Sequence, residues 1–195
     1  MTILVTGGAG FIGANFVLDW LAHSDEPIVN LDLLTYAGNL ENLASIQGDS
    51  RHHFVQGDIA DQALVSKLLK QYQPRALIHF AAESHVDRSI QDPSVFLETN
   101  IVGTFNLLEA VRAYWSDLSG HQKIAFRFVY VSTDEVYGTL DAEALGFSES
   151  SQYQPNNPYS ATKAAADHLV RAWHKTYGLP VITTCLLYTS DAADE

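Results

Sequence analysis

Two short segments of this sequence carry side chains that can accept or donate protons. Thr133, Asp134 and Glu135 are consecutive, and Tyr159 and Lys163 lie four residues apart. A phenol with its ordinary pKa of about 10 is a weak base at neutral pH. A neighbouring ammonium stabilises the phenolate and lowers that pKa. The tyrosine and the lysine together can therefore act as a base for a hydroxyl group.

The spacing of Tyr159 and Lys163 indicates a helix, because residues four apart share one helical face. We expect Tyr159 to accept the proton of a sugar hydroxyl while a cofactor accepts hydride, and Lys163 to hold the nicotinamide ribose. A solvated helix face is the alternative, since this pattern is frequent by chance. The glycine-rich motif described below favours the catalytic interpretation.

The paired carboxylates Asp134 and Glu135 follow an apolar run. Polar residues at the carboxyl end of a parallel strand lie where open α/β sheets bind ligands. Hydride transfer needs one base, one hydroxyl donor and a cofactor, so an additional acid and base are suited to elimination of water. The alternative is a pair of strand-end carboxylates that cap loops.

A third motif is rich in glycine and lies between a short apolar run and a helical pattern. Gly7 permits a tight turn, Gly10 lets a pyrophosphate approach the backbone, and Gly13 lets the helix pack closely on the sheet. The N-terminus of the helix offers N–H groups and the positive end of its dipole to phosphates. We therefore expect the pyrophosphate of a dinucleotide to contact Gly7, Gly10, Phe11, Ile12 and Gly13.

Asp32 ends the second predicted strand, about 20 residues beyond the glycines, as a dinucleotide-binding fingerprint requires. A carboxylate there binds the adenosine ribose hydroxyls of NAD and would repel the 2′-phosphate of NADP. The sequence therefore predicts NAD, with a simple turn carboxylate as the alternative. Asp58 and Ile59 follow the third predicted strand, and we expect both to line the cofactor site. The Asp58 side chain either hydrogen-bonds the adenine edge or caps a helix.

The elements that position these residues alternate between strand and helix. Short apolar runs predict strands over residues 2–6, 27–31, 53–56, 76–80, 125–132 and 181–184. Apolar spacing and cap residues predict helices over residues 11–23, from Asp61, from Pro93, and from Asn156 or Asn157 to about Tyr177. Strands that are apolar throughout are typical of a parallel sheet covered on both faces. The pattern predicts a doubly wound α/β fold of the Rossmann type.

Composition excludes several other classes of protein. The net charge is −12 and Lys and Arg form no cluster, which argues against binding to nucleic acid. No apolar run reaches the roughly 18 residues of a membrane helix, and the N-terminal residues lack a basic leader, so we expect a cytoplasmic protein. The single Cys185 excludes an internal disulfide, and the scattered histidines lack metal-ligand spacing, so we expect no metal.

Together, the glycine motif and the Tyr159–Lys163 pair resemble the extended branch of the short-chain dehydrogenase/reductase superfamily. Within that branch the sequence is similar to the family of dTDP-glucose 4,6-dehydratases, and the similarity covers residues 1 to about 184. The motifs that carry it lie at residues 34–39, 80–90, 99–104, 133–135 and 155–163.

This resemblance implies that dTDP-glucose loses water while NAD accepts a hydride from C4 of the glucosyl ring and returns it to C6. Tyr159 would take the proton of the C4 hydroxyl, and Thr133 would hydrogen-bond the C4 oxygen. Glu135 would remove the C5 proton as general base, and Asp134 would protonate the departing C6 hydroxyl as general acid.

The resemblance also implies contacts with cofactor and substrate at residues that follow the fourth strand. Ala81 and Ala82 would line the cofactor site. Ser84, His85 and Asn100 would lie near the substrate, with a structural role as the alternative for His85. The alternative for Asn100 is to fix its helix to the sheet.

The chain departs from this family in its length and in its last residues. Members carry a further C-terminal portion on the order of 150 residues, about one average domain. We therefore expect residues 1–184 to be an NAD-binding domain whose substrate domain is missing, with weak or no activity. Residues 185–195 do not follow the family pattern, and we expect a non-native tail there. Full-length members are expected to be homodimers that pack through two long helices.

Two other functions remain open on the sequence alone. Another extended short-chain enzyme, such as a UDP-glucose 4-epimerase or a different 4,6-dehydratase, would share the fingerprint, although epimerases lack the Asp134–Glu135 pair. An NAD-binding scaffold would keep the fold without catalysis, although such proteins usually lose Tyr159 or Lys163. Loss of one water from dTDP-glucose separates a dehydratase from an epimerase, whose product is an isomer.

Overall fold

The fold is built on a parallel sheet of six strands. A computed structural model describes residues 1–140 and 146–186. The strands lie in the order β3-β2-β1-β4-β5-β6, and all neighbours pair in parallel. Their bounds are β1 Ile3–Thr6, β2 Ile28–Asp32, β3 His52–Gln56, β4 Ala76–His79, β5 Arg127–Thr133 and β6 Val181–Leu186. This order confirms the predicted doubly wound Rossmann-type architecture.

Helices connect the strands along the chain. The α-helices are α1 Phe11–His23, α2 Gln62–Tyr72, α3 Val86–Gln91, α4 Pro93–Phe96, α5 Thr104–Asp117, α6 Gly120–Ala125 and α7 Pro158–Tyr177. Two 3₁₀ helices span Leu40–Ile46 and Asp134–Tyr137. Among the described residues, no helix is long and apolar enough to cross a membrane.

The two faces of the sheet bury separate clusters of apolar side chains. Alternate residues of a strand point to opposite faces, so Leu4 of β1 packs in one cluster with Val111 and Val170 of α5 and α7. Ile3 packs in the other cluster with Val17 of α1. This two-sided burial explains why the strands are apolar at nearly every position.

The long helix predicted from Pro93 has a more complex course. α4 continues into a π-helical segment, Leu97–Gly103, which leads directly into α5. The wider π turn often occurs at functional sites, and here it contains Asn100. The apolar residues before and after such a turn have the same helical spacing. The sequence therefore predicts one helix from Pro93 and gives no sign of the π-helical segment within it.

α7 begins as predicted, and the structure selects Asn157 as its N-cap. The Asn157 side chain accepts a hydrogen bond from the backbone N–H of Ser160, and the Ser160 hydroxyl accepts one from the backbone N–H of Asn157. Pro158 occupies the first turn, where its missing N–H costs nothing. This reciprocal cap fixes the start of the helix that carries Tyr159 and Lys163.

Two strand boundaries differ from the prediction. α6 takes up Ala125, so β5 begins at Arg127 and not at residue 125. β6 extends to Leu186, which pairs with Thr133 of β5. The strand therefore runs two residues beyond the predicted domain end at residue 184, and the remainder of the predicted tail, residues 187–195, lies outside the described residues.

His79 at the end of β4 is buried in the sheet and makes stability depend on pH. Its Nδ1 lies 2.7 Å from Thr6 Oγ1 and its Nε2 lies 3.1 Å from Thr104 Oγ1. Burial, aided by Lys163, lowers the pKa of His79 from 6.5 to about 3. The unfolded chain therefore binds a proton below about pH 6.5 that the folded chain rejects, so stability falls as pH falls.

A His79→Gln variant should lack this component of the pH dependence. Between pH 7 and pH 5 the wild-type chain should lose about 2 kcal/mol more unfolding free energy than the variant. Urea unfolding at both pH values measures the difference, with the exposed His121→Gln as control. Equal losses in wild type and His79→Gln would mean that His79 does not carry the effect.

Candidate active site

A cavity of about 780 Å³ opens at the carboxyl ends of the strands, beside the junction of β1 and β4. The strand order reverses at that junction, which is where open α/β sheets bind ligands. The cavity brings together residues from all the predicted motifs. The predicted site residues that line the cavity are Gly7, Gly10, Phe11, Ile12, Gly13, Asp32, Asp58, Ile59, Ala81, Ala82, Ser84, His85, Thr133, Glu135, Tyr159 and Lys163.

The glycine-rich turn forms one wall of the cavity. Gly7 has φ +74°, a left-handed conformation that favours glycine. A Cβ on Gly13 would collide with the Gly7 carbonyl and the Gly8 backbone, so glycine is required for the close approach of α1. Gly10 is the N-cap of α1 and supplies no side-chain cap. The N-terminus of α1 is thereby open to an anion in the cavity.

The two predicted adenosine contacts differ in their surroundings. Asp32 is buried at the end of β2, where its Oδ2 accepts from Ala9 N at 2.9 Å and its Oδ1 from Leu34 N at 2.8 Å. These bonds fix the carboxylate at the cavity wall. Asp58 accepts from Ala60 N at 2.8 Å, whereas the N-cap of α2 is Asp61, as predicted. Asp58 therefore closes a local turn and does not cap the helix.

Tyr159 and Lys163 share the face of α7 that borders the cavity. Lys163 Nζ donates to the Val131 carbonyl oxygen at 2.7 Å and lies 4.4 Å from the centre of the Tyr130 ring. Burial lowers the pKa of Lys163 from 10.5 to about 8, and the charge of Asp167 opposes this fall. Lys163 thus remains mostly protonated at pH 7 and can act as the ammonium neighbour of a phenol.

The predicted acid and base separate at the end of β5. Thr133 is the N-cap of the 3₁₀ helix and accepts a hydrogen bond from Glu135 N at 3.3 Å. Glu135 lines the cavity, and its Oε2 accepts from Asn157 Nδ2 at 3.0 Å. Asp134 is not part of the cavity wall. Adjacent residues of a 3₁₀ helix point about 120° apart, and in this structure the two carboxylates face different surfaces.

Asn100 lies behind the cavity wall and is only 1% exposed. Its Oδ1 accepts from Glu83 N and its Nδ2 donates to Glu83 O, both at 2.9 Å. Nδ2 also donates to Thr162 Oγ1 at 3.0 Å. The side chain joins the π-helical segment to the loop after β4 and to α7, whereas the alternative predicted a link from this helix to the sheet.

A cluster that the sequence analysis did not single out lies at the cavity, and two of its members, Tyr36 and Glu83, line the cavity wall. The guanidinium of Arg88 lies 3.7 Å from the centre of the Tyr36 ring. Burial raises the pKa of both Tyr36 and the neighbouring Glu83. Glu83 Oε2 is buried without a hydrogen-bond partner among the described residues. Tyr36 lies in the loop after β2, Glu83 in the loop after β4 and Arg88 in α3. Only the fold shows that they meet, although all three lie within motifs quoted for the resemblance.

Comparison with known proteins agrees with this geometry. The family described as GDP-mannose 4,6 dehydratase matches residues 4–191. Two curated relatives are a dTDP-glucose 4,6-dehydratase of Xanthomonas campestris pv. campestris strain B100, 62% identical over 94% of this chain, and dTDP-glucose 4,6-dehydratase 1 of Escherichia coli K12, 53% identical over 94% of this chain. The match covers 52% and 53% of those two proteins, so the chain spans about half their length.

Solved structures show the same relationship. The dTDP-glucose 4,6-dehydratase DesIV of Streptomyces venezuelae, with NAD and dTDP bound, has a TM-score of 0.85 at 47% identity, over 95% of this chain and 55% of its own. A UDP-glucose 4-epimerase of Thermus thermophilus in complex with NAD has a TM-score of 0.79 at 33% identity, over 94% of this chain and 54% of its own.

Proposed function

Because the chain belongs to the GDP-mannose 4,6 dehydratase family, we propose that it is the NAD-binding part of a dTDP-glucose 4,6-dehydratase. The observation that carries the proposal is the cavity, which brings Thr133, Glu135, Tyr159 and Lys163 opposite a glycine-rich helix N-terminus. This set combines a dinucleotide site with one more base than hydride transfer requires.

The residues of the cavity fit NAD. The open N-terminus of α1 at Gly10 accommodates a pyrophosphate, since the space beside that glycine would be occupied by any larger side chain. Asp32 offers a fixed carboxylate to the adenosine ribose, and Lys163 offers an ammonium to the nicotinamide ribose. Bound NAD would supply a hydride acceptor at C4 of the sugar and a hydride donor at C6.

The side chains of this chain would manage the protons of the reaction. Tyr159, with the Lys163 ammonium close by, would take the proton of the C4 hydroxyl, and Thr133 would hydrogen-bond the C4 oxygen. Glu135, whose second carboxylate oxygen is held by Asn157, would remove the C5 proton. Asp134 would protonate the departing C6 hydroxyl, which requires its side chain to turn from its present position toward the cavity.

The paired carboxylates favour a dehydratase over an epimerase. Epimerisation at C4 needs no acid or base beyond the tyrosine, so Glu135 in the cavity wall would have no chemical task. The dehydratase relatives are 52–62% identical to this chain, whereas the epimerase structures are 27–33% identical. The position of Glu135 and the higher identity to dehydratases both support loss of water as the reaction.

Three further features of the full-length protein belong to the same proposal. We place the NAD-binding domain at residues 1–184 and the protein in the cytoplasm. A homodimer is supported by exposed apolar side chains on the two long helical segments, Val102 and Phe105 on one and Tyr177 on the other. The nucleotide-sugar pocket would come from the part of the relatives that this chain does not cover.

A chimaera tests the proposed function directly. The 183 matched residues of the Xanthomonas relative are replaced by those of this chain, and the product is incubated with dTDP-glucose. Mass spectrometry should find a sugar nucleotide that has lost one water, with no net use of NAD. A product of unchanged mass would support an epimerase, and a folded, NAD-binding chimaera without any product would support a binding scaffold.

Asp32 should determine the choice between NAD and NADP. An Asp32→Asn variant removes the charge that repels a 2′-phosphate and weakens one acceptor, so NAD affinity should fall about tenfold, as for loss of one hydrogen bond to a charged group. The affinity ratio of NADP to NAD should rise by at least as much. Calorimetry measures both ligands, with Asp19→Asn on the outer face of α1 as control, and an unchanged ratio would remove Asp32 from the ribose site.

A further inference from the structure

A further buried carboxylate lies behind the cavity, one helical turn after Lys163. Asp167 of α7 is 5% exposed and is not part of the cavity wall. Its Oδ2 accepts hydrogen bonds from Ser132 Oγ and from the Tyr153 hydroxyl, both at 2.8 Å. One carboxylate oxygen thus joins β5, the segment before α7, and α7 itself.

The two hydrogen bonds oppose the effect of burial on the charge of Asp167. Burial raises the pKa of this carboxyl, while the bonds from Tyr153 and Ser132 and the charge of Lys163 act in the opposite direction. Asp167 Oδ1 is buried without a hydrogen-bond partner among the described residues. A buried carboxylate with one unpaired oxygen is costly unless a positive charge lies near it.

Lys163 is the positive group of this cluster. Tyr159 and Asp167 lie one helical turn before and after it on α7, and Asp167 interacts with its charge. The Tyr130 ring of β5 lies 4.4 Å from its Nζ, and His79 of β4 is affected by its charge. His79 and Tyr130 are both neutral at pH 7, since burial lowers the pKa of the first to about 3 and raises that of the second above its ordinary value of 10. Asp167 is therefore the negative charge that can favour the ammonium form of Lys163 against the effect of burial.

We propose that Asp167 is a positioning residue that keeps Lys163 in its ammonium form while it fixes β5 and the Tyr153 segment against α7. The catalytic meaning of this inference rests on the proposed function, since the ammonium matters only if Tyr159 is a base. The electrostatic part concerns the chain alone and needs neither NAD nor sugar.

An Asp167→Asn variant of this chain separates charge from packing, since the amide has nearly the same shape without the charge. Lys163 borders the cavity but is only 5% exposed, so its protonation at each pH is best recorded by an NMR titration of its side chain, which needs no reagent, with the exposed Lys67 as internal reference. The wild-type midpoint is expected near the lowered pKa of about 8. In the variant it should fall by about one unit, as for loss of one nearby opposite charge.

Ser132→Ala and Tyr153→Phe are matched controls that remove one hydrogen bond each and keep the carboxylate. They should leave the Lys163 midpoint near its wild-type value. A folded Asp167→Asn chain with an unchanged midpoint would overturn the proposal, and so would equal shifts in all three variants, which would make Asp167 a structural clamp. If Asp167→Asn does not fold, Asp167→Ser makes the same prediction with a smaller side chain. A chimaera without turnover would contradict the proposed function and leave this titration unaffected.

Discussion

Replacement of Tyr159 by Phe in the chimaera is expected to lower kcat by about a thousandfold, within the roughly 10²- to 10⁴-fold contribution of general acid–base groups. The change removes only the hydroxyl that would take the C4 proton. The affinity for NAD, measured by calorimetry, should change by less than the turnover, since the glycine motif and Asp32 remain.

Tyr177→Phe is the matched control for this prediction. Tyr177 ends the same helix and is exposed, far from the cavity wall. The removal of this hydroxyl should leave kcat within about twofold, because Tyr177 is distant from the chemistry and phenylalanine keeps the apolar ring that the proposed homodimer would bury. A Tyr159→Phe chimaera with nearly full activity would exclude Tyr159 as the base, whether or not its affinity for NAD changes.

Replacement of Glu135 by Gln is expected to reduce product formation by a similar factor, about a thousandfold. Glutamine can still interact with the Asn157 side chain, so the wall of the cavity should persist, but it cannot take the C5 proton. In deuterated water the product of the wild-type chimaera should carry solvent deuterium at C5, and the variant should form almost none of this product.

Glu149→Gln provides the comparison for Glu135. Glu149 is exposed in the segment before α7, so its change removes one negative charge without touching the cavity wall. Turnover and deuterium incorporation should both remain. If Glu135→Gln kept its rate while Asp134→Asn lost it, the roles assigned to the two carboxylates would have to be exchanged.

The architecture was predictable because each of its signals is local. The apolar runs, the helical spacing and the turn at Gly7 all act within a few residues, and the parallel order follows from alternating strands and helices. The start of α7 was predictable to within one residue, since Asn157 and Pro158 are both typical of helix starts.

The parts of the site that sequence reasoning missed depend on distant segments. The cluster of Tyr36, Glu83 and Arg88 combines the loops after β2 and β4 with α3, and no spacing in the sequence relates them. Asp167 has the spacing of a partner for Lys163, four residues further along α7. Its hydrogen bonds to Ser132 and Tyr153 could not be predicted, because only the fold shows that β5 lies beside α7.

The separation of Asp134 from Glu135 shows a limit of motif reasoning. Three consecutive polar residues suggest one shared surface, yet the strand ends at Thr133 and the next residues form a 3₁₀ helix. The change of period, from two residues to about three, directs the neighbouring side chains to different surfaces.

The central claim is that this chain forms an NAD site, and calorimetric titration of the purified chain with NAD tests it most directly. Circular dichroism must first establish that the chain and its control variant are folded. The control is Gly10→Val, whose side chain has room at its own backbone but fills the space beside the N-terminus of α1. We predict saturable binding to one site per chain in the wild type and none in the variant. A folded wild-type chain that releases no binding heat and shows no rise in melting temperature with NAD would contradict the account.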